Sequence, residues 1–139
     1  MEIVEDGQNI CANFCGGSIF NKTTIITAAQ CCQANFPSGI TIANTTIVAG
    51  ELDIDEESGY EQFKKIKSYR VHPSFDQTTK RNDICVLTLD SELTFNENVA
   101  SIPLDTVGPS SGQFSYVSGW GPSRVTENDS KLLKSNPLT

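Results

Sequence analysis

Apolar positions in this chain come in short, β-branched runs separated by Gly, Pro and Asn, and no stretch keeps a long 3.6-residue period. Ser18–Phe20 and Thr24–Thr27 flank Asn21-Lys22, a turn-like pair that predicts a hairpin. Thr45–Ala49 predicts another strand, ended by Gly50. Phe63–Val71 sets Phe63, Ile66, Tyr69 and Val71 among lysines, which reads as a half-exposed strand. Ile84–Leu89 is nearly continuous apolar sequence, expected to be buried on both faces or against a second layer. Phe114–Ser118 is a further strand, closed by Gly119-Trp120-Gly121-Pro122, and Ile3-Val4 reads as a first strand. Helical expectations are limited to one turn around Ala28–Cys32 and a piece at Asp129–Lys134. Many short strands with frequent turn residues predict an all-β protein, a small barrel or sandwich.

The chain has 139 residues, enough to bury a core without a metal or staples. Ten Lys and Arg against seventeen Asp and Glu leave a net charge of −7. That balance excludes a nucleic-acid binder, which neutralises phosphates with basic side chains, and equally a binder of anionic membranes. No run of apolar residues is long enough to predict a membrane-spanning helix. The N-terminal residues carry neither a basic segment nor an apolar one, so no signal peptide is visible. Two readings remain on that ground: a cytosolic chain, or numbering that begins inside a longer precursor.

Cysteines and sequons shift the balance. The five cysteines are Cys11, Cys15, Cys31, Cys32 and Cys85, so at least one is left over if the rest pair. No CxxC pair exists, and the lone histidine, His72, precedes Pro73 and not a cysteine cluster, which argues against structural zinc. Asn21, Asn44 and Asn128 open Asn-x-Ser/Thr sequons, candidate glycosylation sites. Together with clustered cysteines they point to an oxidising compartment and a secreted, extracellular protein.

Five segments, in order, then resemble one family. Phe14-Cys15-Gly16-Gly17-Ser18-Ile19 and Ile26-Thr27-Ala28-Ala29-Gln30-Cys31 are similar to the FCGGS and TAAHC segments of the trypsin family of serine proteases. Val71-His72-Pro73-Ser74-Phe75, Asn82-Asp83-Ile84 and Val117-Ser118-Gly119-Trp120-Gly121 resemble its VHPxF, NDI and VSGWG segments. The resemblance implies a six-stranded Greek-key barrel over residues 1–105. Residues 106–139 would then be an interbarrel linker and the opening strand of an incomplete second barrel.

Departures from the pattern bear on activity. Gln30 stands where TAAHC has its histidine, and an amide cannot take and return the proton that the mechanism moves. Asp83 matches the triad aspartate, with no imidazole to orient; it is expected to accept hydrogen bonds from backbone N–H groups or the Gln30 amide. The sequence contains no segment like the family's GDSGGP, so no nucleophilic serine can be assigned. The resemblance thus implies a catalytically inactive homologue acting as a binding or regulatory protein. The alternative is a fragment of a serine endopeptidase whose serine-bearing half lies elsewhere. Either way, the face that relatives bury between barrels, including Trp120 and part of Phe114–Ser118, is expected to be exposed and to seek a protein partner or a second copy.

The same match gives the cysteines and one acidic loop candidate roles. Cys15 and Cys31 occupy positions that pair in the family. Cys11, Cys32 and Cys85 have no standard partner; a Cys11–Cys32 bridge is one option, and Cys85 reads as a small buried hydrophobe. Gly50 to Glu61 resembles the family's calcium loop. Glu51 and Glu61 would be carboxylate ligands, Asp53 and Glu56 would offer backbone carbonyls, and Ser58 replaces a third glutamate. A solvated acidic loop without metal is the other reading of those residues.

Overall fold

In the computed structural model, residues 2–3, 12–33, 41, 44–108, 110–121 and 134–138 are described. Nine strands follow one another: β1 (Glu2–Ile3), β2 (Ala12–Asn13), β3 (Ser18–Asn21), β4 (Thr24–Thr27), β5 (Thr45–Ala49), β6 (Gln62–Val71), β7 (Cys85–Leu89), β8 (Ser115–Gly119) and β9 (Lys134–Leu138). A 3₁₀ turn, Ala29–Cys32, follows β4. The all-β reading therefore holds, and the expected hairpin at Asn21-Lys22 is the β3–β4 connection.

Seven strands form one antiparallel sheet in the order β2-β1-β5-β6-β7-β4-β3. Two of them, β1 and β2, are only two residues long. β6 is the corner of this sheet. Its first half pairs with β5, from Ala49↔Gln62 to Thr46↔Lys65. Its second half pairs with β7, through Tyr69↔Leu87 to Val71↔Cys85, and the register shifts between Ile66 and Ser68. A bulge of this kind raises the local twist and bends the strand, so one long strand serves both halves of a curled sheet. Strands β8 and β9 form a separate two-stranded pair, Ser115↔Leu138 to Gly119↔Lys134. Lys134, expected at the end of a helical piece, thus opens a strand; Asp129–Leu133 lie outside the described residues.

The core lies on the concave side and is built from alternate residues. Ile25, Ile47, Ala49, Leu87 and Leu89 come from the strands, Cys32 and Cys85 from one disulfide, and Leu93 and Val99 from the segment after β7. That last segment is pinned to the β3–β4 hairpin by Leu93 N–H to Lys22 C=O at 2.7 Å and Ile102 N–H to Ile19 C=O at 3.0 Å. The buried polar side chains of the strands find partners: Thr27 Oγ1 donates to Gly16 C=O at 2.7 Å, and Thr45 Oγ1 to Thr41 C=O at 2.9 Å. Of the two expectations for β7, burial on both faces does not hold: Cys85, Leu87 and Leu89 point into the core while Val86 is 37 % exposed, because only one face of the strand meets packed side chains. Gly17 is sterically required. A Cβ on Gly17 would lie 2.7 Å from Ile25 Cγ2 and 3.2 Å from Ile26 C=O, so β3 enters the sheet through a gap that admits no side chain.

Candidate functional site

Gln30 and Asp83 are far apart in sequence and adjacent in space. Gln30 sits in the 3₁₀ turn that leaves β4, and Asp83 lies two residues before β7, the strand paired with β4. Asn82 takes a left-handed backbone, φ 56°, a conformation Asn tolerates well. Its Nδ2 donates to Ser74 C=O at 2.9 Å, and its carbonyl accepts Ile84 N–H at 2.8 Å. That tight turn presents the Asp83 carboxylate to the 3₁₀ turn, where Oδ1 accepts the Gln30 backbone N–H at 2.9 Å. Of the two acceptor roles expected for Asp83, the structure uses the backbone one. The Gln30 side-chain amide makes no hydrogen bond among the described residues. His72 is not recruited: its Nδ1 accepts Ser74 N–H at 3.1 Å within its own turn, and its carbonyl accepts Phe75 N–H.

Two disulfides hold the 3₁₀ turn. Cys31 bonds Cys15, with Cα atoms 6.2 Å apart, and ties the turn to the segment before β3. Cys32 bonds Cys85, with Cα atoms 6.5 Å apart. This second bridge corrects the sequence reading, which left Cys32 without a standard partner and took Cys85 for a buried hydrophobe. Cys85 is fully buried, as expected of a core residue, but its sulfur is bonded. The antiparallel register Thr27↔Cys85 brings β7 beside the exit of β4, which a spacing of 53 residues cannot reveal. Cys11, the other candidate partner of Cys32, lies outside the described residues. Gln30 and Asp83 are each two residues from the Cys32–Cys85 bridge, so a covalent link brackets their contact.

This geometry has a chemical limit. Asp83 is directed at the backbone of residue 30, whose side chain is a neutral amide that neither accepts nor delivers a proton near neutral pH. A cavity of about 140 Å³ lies elsewhere, lined in part by Gly16, Gly17, Ile47, Gly50, Glu51 and Trp120, and neither Gln30 nor Asp83 borders it.

The acidic loop between β5 and β6 does not assemble a cation site. Glu61 directs Oε1 at Ser58 N–H (2.8 Å) and Ser58 Oγ–H (2.5 Å), and Oε2 at Gly59 N–H (2.8 Å). Led by the Ser58 hydroxyl, these donors lower its pKa to about 2. Glu51 Oε1 accepts Leu52 N–H at 2.9 Å. The Asp53 carbonyl, a presumptive ligand in the sequence reading, accepts Glu56 N–H at 3.0 Å, and Asp53 Oδ1 accepts Asp55 N–H. No three acidic, histidine or cysteine groups converge on a common point among the described residues. As arranged here, Glu51, the Asp53 carbonyl and Glu61 are directed at local N–H or hydroxyl donors rather than at a common point, and Glu56 contributes its N–H to the Asp53 carbonyl.

Several large apolar side chains after β7 are exposed. Ile102, Leu104, Val107, Phe114, Tyr116 and Val117 are all at least half exposed, and Val107 reaches 89 %. Trp120, expected among them, is instead half-buried and its indole N–H donates to Leu52 C=O at 3.2 Å. Of the sequons, Asn21 lies exposed at the β3–β4 turn, where Oδ1 accepts from Thr23 N–H and Oγ1–H. Asn44 is half-buried before β5, and Asn128 lies outside the described residues.

The described residues thus form an antiparallel, disulfide-tied sheet that sets an aspartate against the N–H of the residue before a cysteine. A family model described as Trypsin matches residues 3–138, and the chain belongs to the trypsin family. It is 38 % identical over 125 residues to Trypsin-1 of Astacus astacus, covering 88 % of this chain and 51 % of that protein. Hypodermin-A of Hypoderma lineatum is 34 % identical over 129 residues, 90 % of this chain and 44 % of that protein. Serine protease 1 of Homo sapiens is 32 % identical over 109 residues, 78 % and 40 % respectively. The chain spans about half the length of these relatives.

Proposed function

We propose that this chain is a non-catalytic trypsin-family domain that works outside the cell as a binding or regulatory protein. One observation supports the reading: the Gln30 backbone N–H bonds Asp83, and Gln30 stands where the family's TAAHC segment has its histidine. Acyl transfer by this family's chemistry needs an imidazole that takes the hydroxyl proton and gives it to the leaving amine; an amide holds neither charge state. Triad members act as a unit, so this one replacement removes about 10⁴- to 10⁶-fold of turnover whatever else the natural protein contains. Paired cysteines support an extracellular location. Residues 1–105 act as the first β-barrel unit in this reading, with 106–139 as linker and start of a second. The exposed side chains of Val107, Phe114 and Tyr116 serve as contacts for a protein partner.

A second reading is favoured by coverage: the chain matches about half of its relatives, as a fragment of a serine endopeptidase would. The natural protein, purified from its source, tests the inactivity that Gln30 gives either reading, and the presence or absence of a GDSGGP-like segment in its full sequence separates the two. It should turn over no peptide ester or amide above buffer and take no label from a serine-reactive phosphonate. Stoichiometric labelling with turnover at trypsin-like rates would overturn the inactivity.

A further inference from the structure

We propose that Ser58 closes the Gly50–Glu61 loop on Glu61 in place of a bound cation, so that the loop keeps its conformation without metal. Protein groups close the loop at three places. At the neck, Ala49 pairs with Gln62, and Gly50 turns with φ +86° so close to Tyr60 that a Cβ would lie 2.8 Å from the Tyr60 carbonyl. Beside the neck, the Gln62 amide clasps Thr94: Nε2 donates to Thr94 C=O at 2.7 Å and Oε1 accepts Thr94 N–H at 2.8 Å. At the tip, Ser58 supplies Glu61 with its N–H and its hydroxyl, Gly59 supplies another N–H, and Ser58 Oγ accepts Tyr60 N–H at 3.4 Å.

The logic is one of charge. A carboxylate at position 58 beside Glu61 would place two like charges together, and such a pair needs a cation between them. Serine removes one of the charges and adds a donor, converting repulsion into a charge-assisted hydrogen bond. The sequence difference at 58 therefore marks a change in how the loop is held.

The test uses the full chain, with calcium and terbium ions as probes. Wild type should melt at the same temperature, to about 1 °C, in a chelator and in about 10 mM calcium, and should show no saturable terbium luminescence. Ser58→Ala should melt lower in both conditions, by roughly 3 °C or more. Ser58→Glu should acquire a calcium-dependent rise in melting temperature and a terbium signal. A calcium-dependent rise in wild type, an unchanged melting temperature for Ser58→Ala, or no calcium response in a folded Ser58→Glu would each overturn the proposal. If Ser58→Glu does not fold, wild type and Ser58→Ala decide it alone.

Discussion

Removing the Cys32–Cys85 bridge should cost this chain a large share of its stability. The bridge closes a 53-residue separation, against 16 for Cys15–Cys31. In the chain-entropy picture, restricting the unfolded chain by these two loops stabilises the fold by about 4 and about 3 kcal/mol respectively. A domain of this size has roughly 5–15 kcal/mol in all, so the longer bridge alone accounts for a quarter or more. Both its sulfurs are buried, Cys32 at 2 % and Cys85 at 0 % exposure, so serine would bury a hydroxyl in an apolar setting, and alanine is the cleaner replacement. Cys32→Ala with Cys85→Ala should lower the melting temperature by roughly 12–20 °C and reduce the urea midpoint. Cys15→Ala with Cys31→Ala should cost somewhat less. Hydrogen exchange adds a local readout: the Gln30 amide, bonded to Asp83, should lose protection first, since the bridge flanks that contact. A loss under about 1 kcal/mol for the Cys32/Cys85 pair would refute the reasoning. So would a non-reducing peptide map of the native protein that joins Cys32 to Cys11.

Three further outcomes are expected. Asp83→Ala should destabilise by about 1–3 kcal/mol in chemical denaturation, because it strands the Gln30 N–H, while Asp83→Asn, which keeps an acceptor oxygen, should cost less; equal losses would separate Asp83 from that bond. Carboxyl titration by NMR should find Glu61 near 2 and Asp76 below its ordinary value, Asp76 because Thr79 and Thr78 N–H groups bond its carboxylate. Both pKa values are lowered on folding, so their contribution is present above the unfolded carboxylate range and is lost as pH falls through the folded values; ordinary titration of either group would contradict the loop geometry. Sedimentation at micromolar concentration should show a species heavier than 15.1 kDa, and Tyr116→Asp or Val107→Asp should weaken it without unfolding the sheet; a monomer at hundreds of micromolar would remove these exposed side chains as self-association contacts.

Much of the strand layout was legible because it is local. Thr24–Thr27 and Thr45–Ala49 are bounded in the structure at the residues the β-branched runs and turn signals indicate, since side-chain alternation and turn chemistry act over two to four neighbours. The replacement at Gln30 was equally legible, because a missing imidazole is a statement about one residue's chemistry. Other features depended on what comes to lie opposite what. Ile84–Leu89 is nearly continuous apolar sequence, yet only packing decided that Leu87 faces the core and Val86 does not. Cys32 and Cys85 became partners through the β4–β7 register, a long-range pairing that spacing does not encode. The acidic loop shows the same division most clearly. Its composition admits a cation site or a solvated turn with equal ease. The choice fell to the backbone that turns Ser58 and Gly59 toward Glu61, because a carboxylate already bonded to three local donors has little left to offer an ion.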